Sequence, residues 1–134
     1  DGNLTIDSGS VLYLNEHDLS VGEDFSNNGT LKLVGTEDMG FTNDTDSGLV
    51  EYSGSDSYDY LAAGDEYYDL SFTGGGTYTL DENLDINGDL TIEGDSTLDA
   101  WENDDGDPID ICENSIESIV DKIMILNGYS SANL

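Results

Sequence analysis

The chain has 134 residues, of which 31 are Asp or Glu against two Lys and no Arg, for a net charge of −29. A surface of that sign repels nucleic-acid phosphates and anionic lipid, so neither is expected as a partner. No run of 18 apolar residues occurs, so no helical membrane span is expected, and one cysteine, Cys112, excludes an internal disulfide. Charge repulsion at this density must be screened by salt or neutralised by divalent cations, which points to an ion-rich, extracellular setting. The start at Asp1, without Met or a signal peptide, fits a processed piece of a secreted precursor.

In chain order, the sequence is a series of apolar-polar-apolar triplets separated by corner residues. Gly2-Asn-Leu-Thr-Ile-Asp7 returns as Gly88-Asp-Leu-Thr-Ile-Glu93, 86 positions on, and the Leu19 to Gly29 phrase returns at Leu84 to Gly94, 65 positions on. Both offsets lie near multiples of about 21.5, a period of solenoid size. Three series follow: Leu4, Phe25, Leu49, Leu70 and Leu90; Leu19, Met39 to Phe41, Leu61 and Leu84; and Leu12, Leu31, Val50 to Tyr52, Tyr78 and Leu98. Every second side chain of a triplet points inward and stacks on its counterpart one turn away. Between triplets stand Asp-Ser-Gly, Asn-Asn-Gly, Gly-Gly-Gly and Asn-Gly, which suit corners. The expected fold is all-β, a three-faced parallel β-helix of about five rungs over residues 1–100; an antiparallel β-sandwich is the alternative.

Several residues along the way carry candidate chemistry. The sequons Asn3-Leu-Thr5, Asn28-Gly-Thr30 and Asn43-Asp-Thr45 offer glycosylation sites, with Asn28 and Asn43 at corners. His17, the only histidine, reads as a turn residue among acids. Residues 53–68 interrupt the rhythm with Tyr58, Tyr60, Tyr67 and Tyr68. These rings would either form a contact surface, for sugar or protein, or cover a small core of the loop's own.

Phe25-Ser-Asn-Asn-Gly-Thr-Leu31, Thr42 to Tyr52 and Tyr68 to Leu80 resemble the repeats of large secreted bacterial and archaeal β-solenoid surface proteins, which are adhesin-like. The resemblance covers roughly residues 2–99. It implies a parallel β-helix with a cell-surface, non-enzymatic role. Asp and Glu stand here where that family uses Asn, Ser and Thr.

After Leu98 the pattern changes. Residues 101–113 read as an acidic linker or a calcium loop, with Asn103, Asp105, Asp107 and Asp110 as oxygen ligands for Ca²⁺, the only cofactor the chain suggests. Asn114 with Glu117 reads as a capping box opening a helix through Leu126, so residues 114–134 form a helix and tail that would cap the last rung. The counter-reading makes residues 122–126 a further strand. No nucleophile-base pair or phosphate loop is present, and 31 acids single out no catalytic pair. The expected function is a non-enzymatic, extracellular structural protein: a subunit of a surface filament stacking head-to-tail on copies of itself, or a segment of an adhesin. A carbohydrate-binding module touching surface polysaccharide is the alternative, and a polysaccharide-degrading β-helix enzyme a further one.

Overall fold

A computed structural model describes residues 2–100 and the backbone of Ile111–Ser115. Twelve short strands follow from the triplet pattern: β1 Leu4–Ile6, β2 Val11–Tyr13, β3 Phe25–Asn27, β4 Thr30–Leu33, β5 Leu49–Tyr52, β6 Ser57–Tyr58, β7 Glu66–Tyr67, β8 Asp69–Phe72, β9 Thr77–Thr79, β10 Leu84–Ile92, β11 Thr97–Asp99 and β12 Ile111–Ser115. Every pairing among them is parallel. The fold is a parallel β-solenoid of about five turns, and no helix occurs among the described residues.

The second face is the most regular. It runs β2-β4-β5-β8-β10, one strand per turn. Its inward column is Leu12, Leu31, Val50, Leu70 and Leu90, joined at steps of 19 and 20 residues. On the first face, β1 pairs with β3 at one end, and β7, the first half of β10 and β12 pair at the other. Nine-residue β10 therefore turns the corner between two faces. The third face is a lone bridge, Leu19 to Met39, in the first two turns. In the last three it is a true sheet, β6-β9-β11, with Tyr58, Tyr78 and Leu98 in register.

Four expectations are corrected. The series through Leu19, Met39 and Leu84 crosses faces: Leu19 and Met39 bridge on the third, whereas Leu84 lies on the first. The series through Leu4, Phe25, Leu49, Leu70 and Leu90 crosses faces: Leu4 and Phe25 pair on the first face, whereas Leu70 and Leu90 lie on the second. Within the second face Leu70 stands beside Val50, not Leu49. Leu49 therefore points outward and stays half-exposed while Val50 is buried, because a one-residue slip reverses the side of a strand. The series through Val50, Tyr78 and Leu98 likewise runs from the second face to the third. Finally, Ile111–Ser115, expected to close the linker and open a helix at Asn114, is strand β12 beside β10, with Leu84 opposite Ile111. An unpaired β10 edge offers a full ladder of hydrogen bonds, which outweighs a local capping preference. The rest of the predicted linker and helix, residues 101–110 and 116–134, lies outside the described residues.

The core is aliphatic on the second face and aromatic between the second and third. Phe72 stacks on Tyr52 at 5.4 Å between centroids and Tyr58 on Tyr78 at 4.5 Å. Tyr78 also touches Tyr52 at 5.1 Å and Phe72 at 4.9 Å, so four rings from successive turns form one block. Corners need special backbone at a few points. Gly48 adopts φ 79°, and a side chain there would run into the backbone and carboxamide of Asn27.

Candidate functional site

The first turn is where the solenoid is least finished. Among the described residues no strand pairs with the outer edges of β1 and β2. Leu4 and Leu12 are only half-buried, and a recess of about 200 Å³ opens between them, lined also by Ile6 and Val11. Val11 is 62% exposed and Tyr13 47%. Lys32, the only Lys or Arg among the described residues, lies 5.3 Å from the centre of the Tyr13 ring and 3.0 Å from a Glu51 oxygen. An edge of unpaired N–H and C=O groups beside apolar side chains is a template for another strand.

The four tyrosines expected as a surface separate into two pairs. Tyr58 and Tyr67 are buried in the core, whereas Tyr60 is 53% and Tyr68 37% exposed. The buried rings also organise the loop above them. The Ala63 N–H donates to the Tyr52 hydroxyl at 2.9 Å, and the Tyr67 hydroxyl donates to the Gly64 carbonyl at 2.6 Å. The Tyr52 hydroxyl lies 2.8 Å from that of Tyr67, and since the Tyr67 proton is already committed, Tyr52 donates here. A second relay runs from Gly54 N–H to the Tyr78 hydroxyl at 2.9 Å and on to the Val34 carbonyl at 2.6 Å. Burial pushes all three hydroxyls up, so they stay protonated.

Where the third face changes from a bridge to a sheet, the cross-section changes too, and a cleft of about 420 Å³ is left between residues 39–45 and 62–66. Met39, Phe41, Ala62 and Ala63 give it apolar walls, and Asp65 and Glu66 line it as well. Burial raises the Asp65 carboxyl to about 6, helped by the charges of Asp81, Glu82 and Glu66. Asn43 also lines the cleft; its Nδ2 donates to the Glu66 carbonyl at 3.0 Å, while its Oδ1 is buried without a hydrogen-bond donor among the described residues. The Asn43 carboxamide is thus partly buried and held at the cleft, whereas Asn28 is exposed at its corner, its Nδ2 3.3 Å from the Ser26 hydroxyl.

Sequence reasoning missed Glu37, which is 1% exposed. Its Oε1 accepts from Val34 N–H at 2.8 Å and Glu16 N–H at 3.0 Å, and its Oε2 from Gly35 N–H at 2.8 Å. Burial alone would raise this carboxyl, but the backbone donors outweigh it and hold it below the ordinary glutamate value of 4.5. The group is a clamp between the first two turns, and among so many acids nothing in its surroundings marks it. Asn27 works similarly, buried at a corner with its Nδ2 on the Leu49 carbonyl at 3.0 Å.

His17 lies exposed after a turn in which Asn15 and Glu16 take the left-handed backbone conformation. The expected calcium ligands Asn103, Asp105, Asp107 and Asp110 lie outside the described residues. Among the described residues no group of three or more His, Cys, Asp or Glu side chains is placed to hold a metal, and no helix is long and apolar enough to cross a membrane. Comparison with family models, with curated proteins and with solved structures found no match.

Proposed function

We propose that this chain is a non-enzymatic structural protein of an extracellular surface, working through end-to-end continuation of its solenoid. The observation that carries this reading is the first turn: among the described residues β1 and β2 have one edge each without a paired strand, beside half-buried Leu4 and Leu12. A parallel turn from a neighbouring copy would complete the ladder, and a head-to-tail contact of that kind repeats into a filament. The acidic flanks would limit sideways association meanwhile, and salt or Ca²⁺ would relieve their repulsion. Adhesin-like surface proteins supply the analogy for the setting, through the repeat phrases alone. Sedimentation and negative-stain microscopy of the full chain, in salt and with or without calcium, test it: end-to-end particles that lengthen with concentration are expected. A strictly monomeric chain with an ordered first turn would count against it.

Binding of surface polysaccharide is the second reading, supported by the exposed rings of Tyr60 and Tyr68. Its test is a Tyr60→Ala, Tyr68→Ala double variant, which should lose retention on a neutral polysaccharide while its melting temperature stays unchanged.

A further inference from the structure

We propose that the cleft between residues 39–45 and 62–66 is a binding site for an organic ammonium ion, a primary amine carried on a short apolar body. The proposal goes beyond the structural reading above and stands or falls separately from it. Its first support is shape: a notch of about 420 Å³ at the one place where the solenoid's third face changes construction. The second is how firmly its walls are held. Phe41 packs on Phe25 at 4.5 Å, and residues 63 and 64 are fixed from below by the Tyr52 and Tyr67 hydroxyls.

The third support is chemical. Met39, Phe41, Ala62 and Ala63 would cover an alkyl body, while Asp65 and Glu66 would face its charge. An ammonium group has three donors and no acceptor, so it matches a lining that carries two acidic side chains, Asp65 and Glu66. An anion would meet Asp65, Glu66, Asp81 and Glu82. A bare divalent cation would gain nothing from the apolar walls, and a neutral alcohol nothing from the charge. Among the described residues the acids meet no compensating Lys or Arg here, since Lys32 is engaged with Glu51.

Binding should also be coupled to protons. Asp65 is flanked by Glu66, Asp81 and Glu82, with the Tyr52 and Tyr67 hydroxyls behind it and protonated throughout. Ammonium beside Asp65 favours its charged form, so the carboxyl, at about 6 in the free chain, must fall on binding. Affinity then rises with pH through that region, and protons are released there.

The experiment is calorimetric titration of the full chain with n-hexylammonium, at physiological salt, in buffers of different ionisation enthalpy. The expected result is saturable binding with proton release near pH 6, at least tenfold weaker binding of 1-hexanol, and at least tenfold loss in Asp65→Asn. Exposed Glu23 serves as the control, and Glu23→Gln should bind as the parent does. Three results would each overturn the site: equal binding of amine and alcohol, an unchanged Asp65→Asn, or equal losses in both variants, which would mean diffuse attraction to an acidic surface. Should Asp65→Asn fail to fold, proton release by the unaltered chain decides alone, and its absence overturns the site.

Discussion

The first two turns and the last three obey the same local rule and differ in what fills them. In the last three, Leu70, Phe72, Tyr78, Leu84, Ile86, Leu90, Ile92 and Leu98 are all at most 1% exposed, and a third sheet closes the column. In the first two, Leu31 and Leu33 are as deeply buried, but Leu4, Leu12, Leu19, Val21 and Phe25 are only half-buried, and the third face is a single bridge. Alternation alone, then, makes a strand but not a stable turn. What adds stability is area from large rings and aliphatics stacked on a filled neighbour, about 25 cal/mol per Å² removed from water. Among the described residues nothing packs on the outer side of the first turn, and the function proposed above assigns that side to a neighbouring copy.

The contrast predicts unequal mutations. Leu90→Asp places a charge in a fully buried column and should cost about 4 kcal/mol or more, while Leu12→Asp, on the same column but half-exposed, should cost about 1 kcal/mol. Denaturant unfolding of both variants checks this, and equal costs would erase the distinction between the regions.

Glu37→Gln should cost about 3 kcal/mol, because it replaces a charged acceptor of three backbone donors with a group that brings donors of its own. The loss should fall on the first two turns, which this clamp joins. Its pH dependence follows from a folded-state carboxyl held low: the stabilisation is full above 4.5 and disappears as pH falls through the lower folded value. Acid unfolding of the parent should therefore be steeper in that range than that of Glu37→Gln.

Tyr78→Phe keeps the ring block and removes one hydroxyl, leaving Gly54 N–H and the Val34 carbonyl unpaired, at a cost of about 2 kcal/mol by thermal melting. The smallest effect has the opposite sign. Asp65 is raised to about 6 from an ordinary 3.8, so stability falls as pH rises between those values and is level above them. Asp65→Asn should stabilise the chain at pH 7 by about 1 kcal/mol or less, since solvent screens this partly exposed group, and should do nothing below about pH 3.5.

Much of the fold can be read from the residues. The triplets, the corners and the solenoid period are visible, and a column such as Leu12, Leu31 and Val50 is correctly aligned by eye. The face assignment is harder, and the best-matched phrases mislead. Leu4-Thr-Ile6 lies on the first face and Leu90-Thr-Ile92 on the second. Their offset of 86 is thus four turns of about 20 plus one face, not four turns of 21.5. All faces satisfy the same apolar alternation, so local sequence cannot tell one from another; only pairing across turns does. The tyrosines were ambiguous for a related reason. A phenol is apolar enough for the core when its hydroxyl finds a partner, as Tyr67 does in Gly64 three residues back and in the Tyr52 hydroxyl 15 residues back, and local sequence does not show which tyrosine will find one. Strand β12 was hidden because its cause, the β10 edge, is also remote.

Native-state hydrogen exchange, read amide by amide over a range of protein concentrations, tests the central claim most directly. At low concentration the amides of β8 and the second half of β10 should exchange slowest and those of β1 and β2 fastest. As concentration rises, protection should grow in β1 and β2 alone, as neighbouring copies cover that edge. Protection that is uniform along the chain, or that stays low in β1 and β2 at every concentration, would contradict the account.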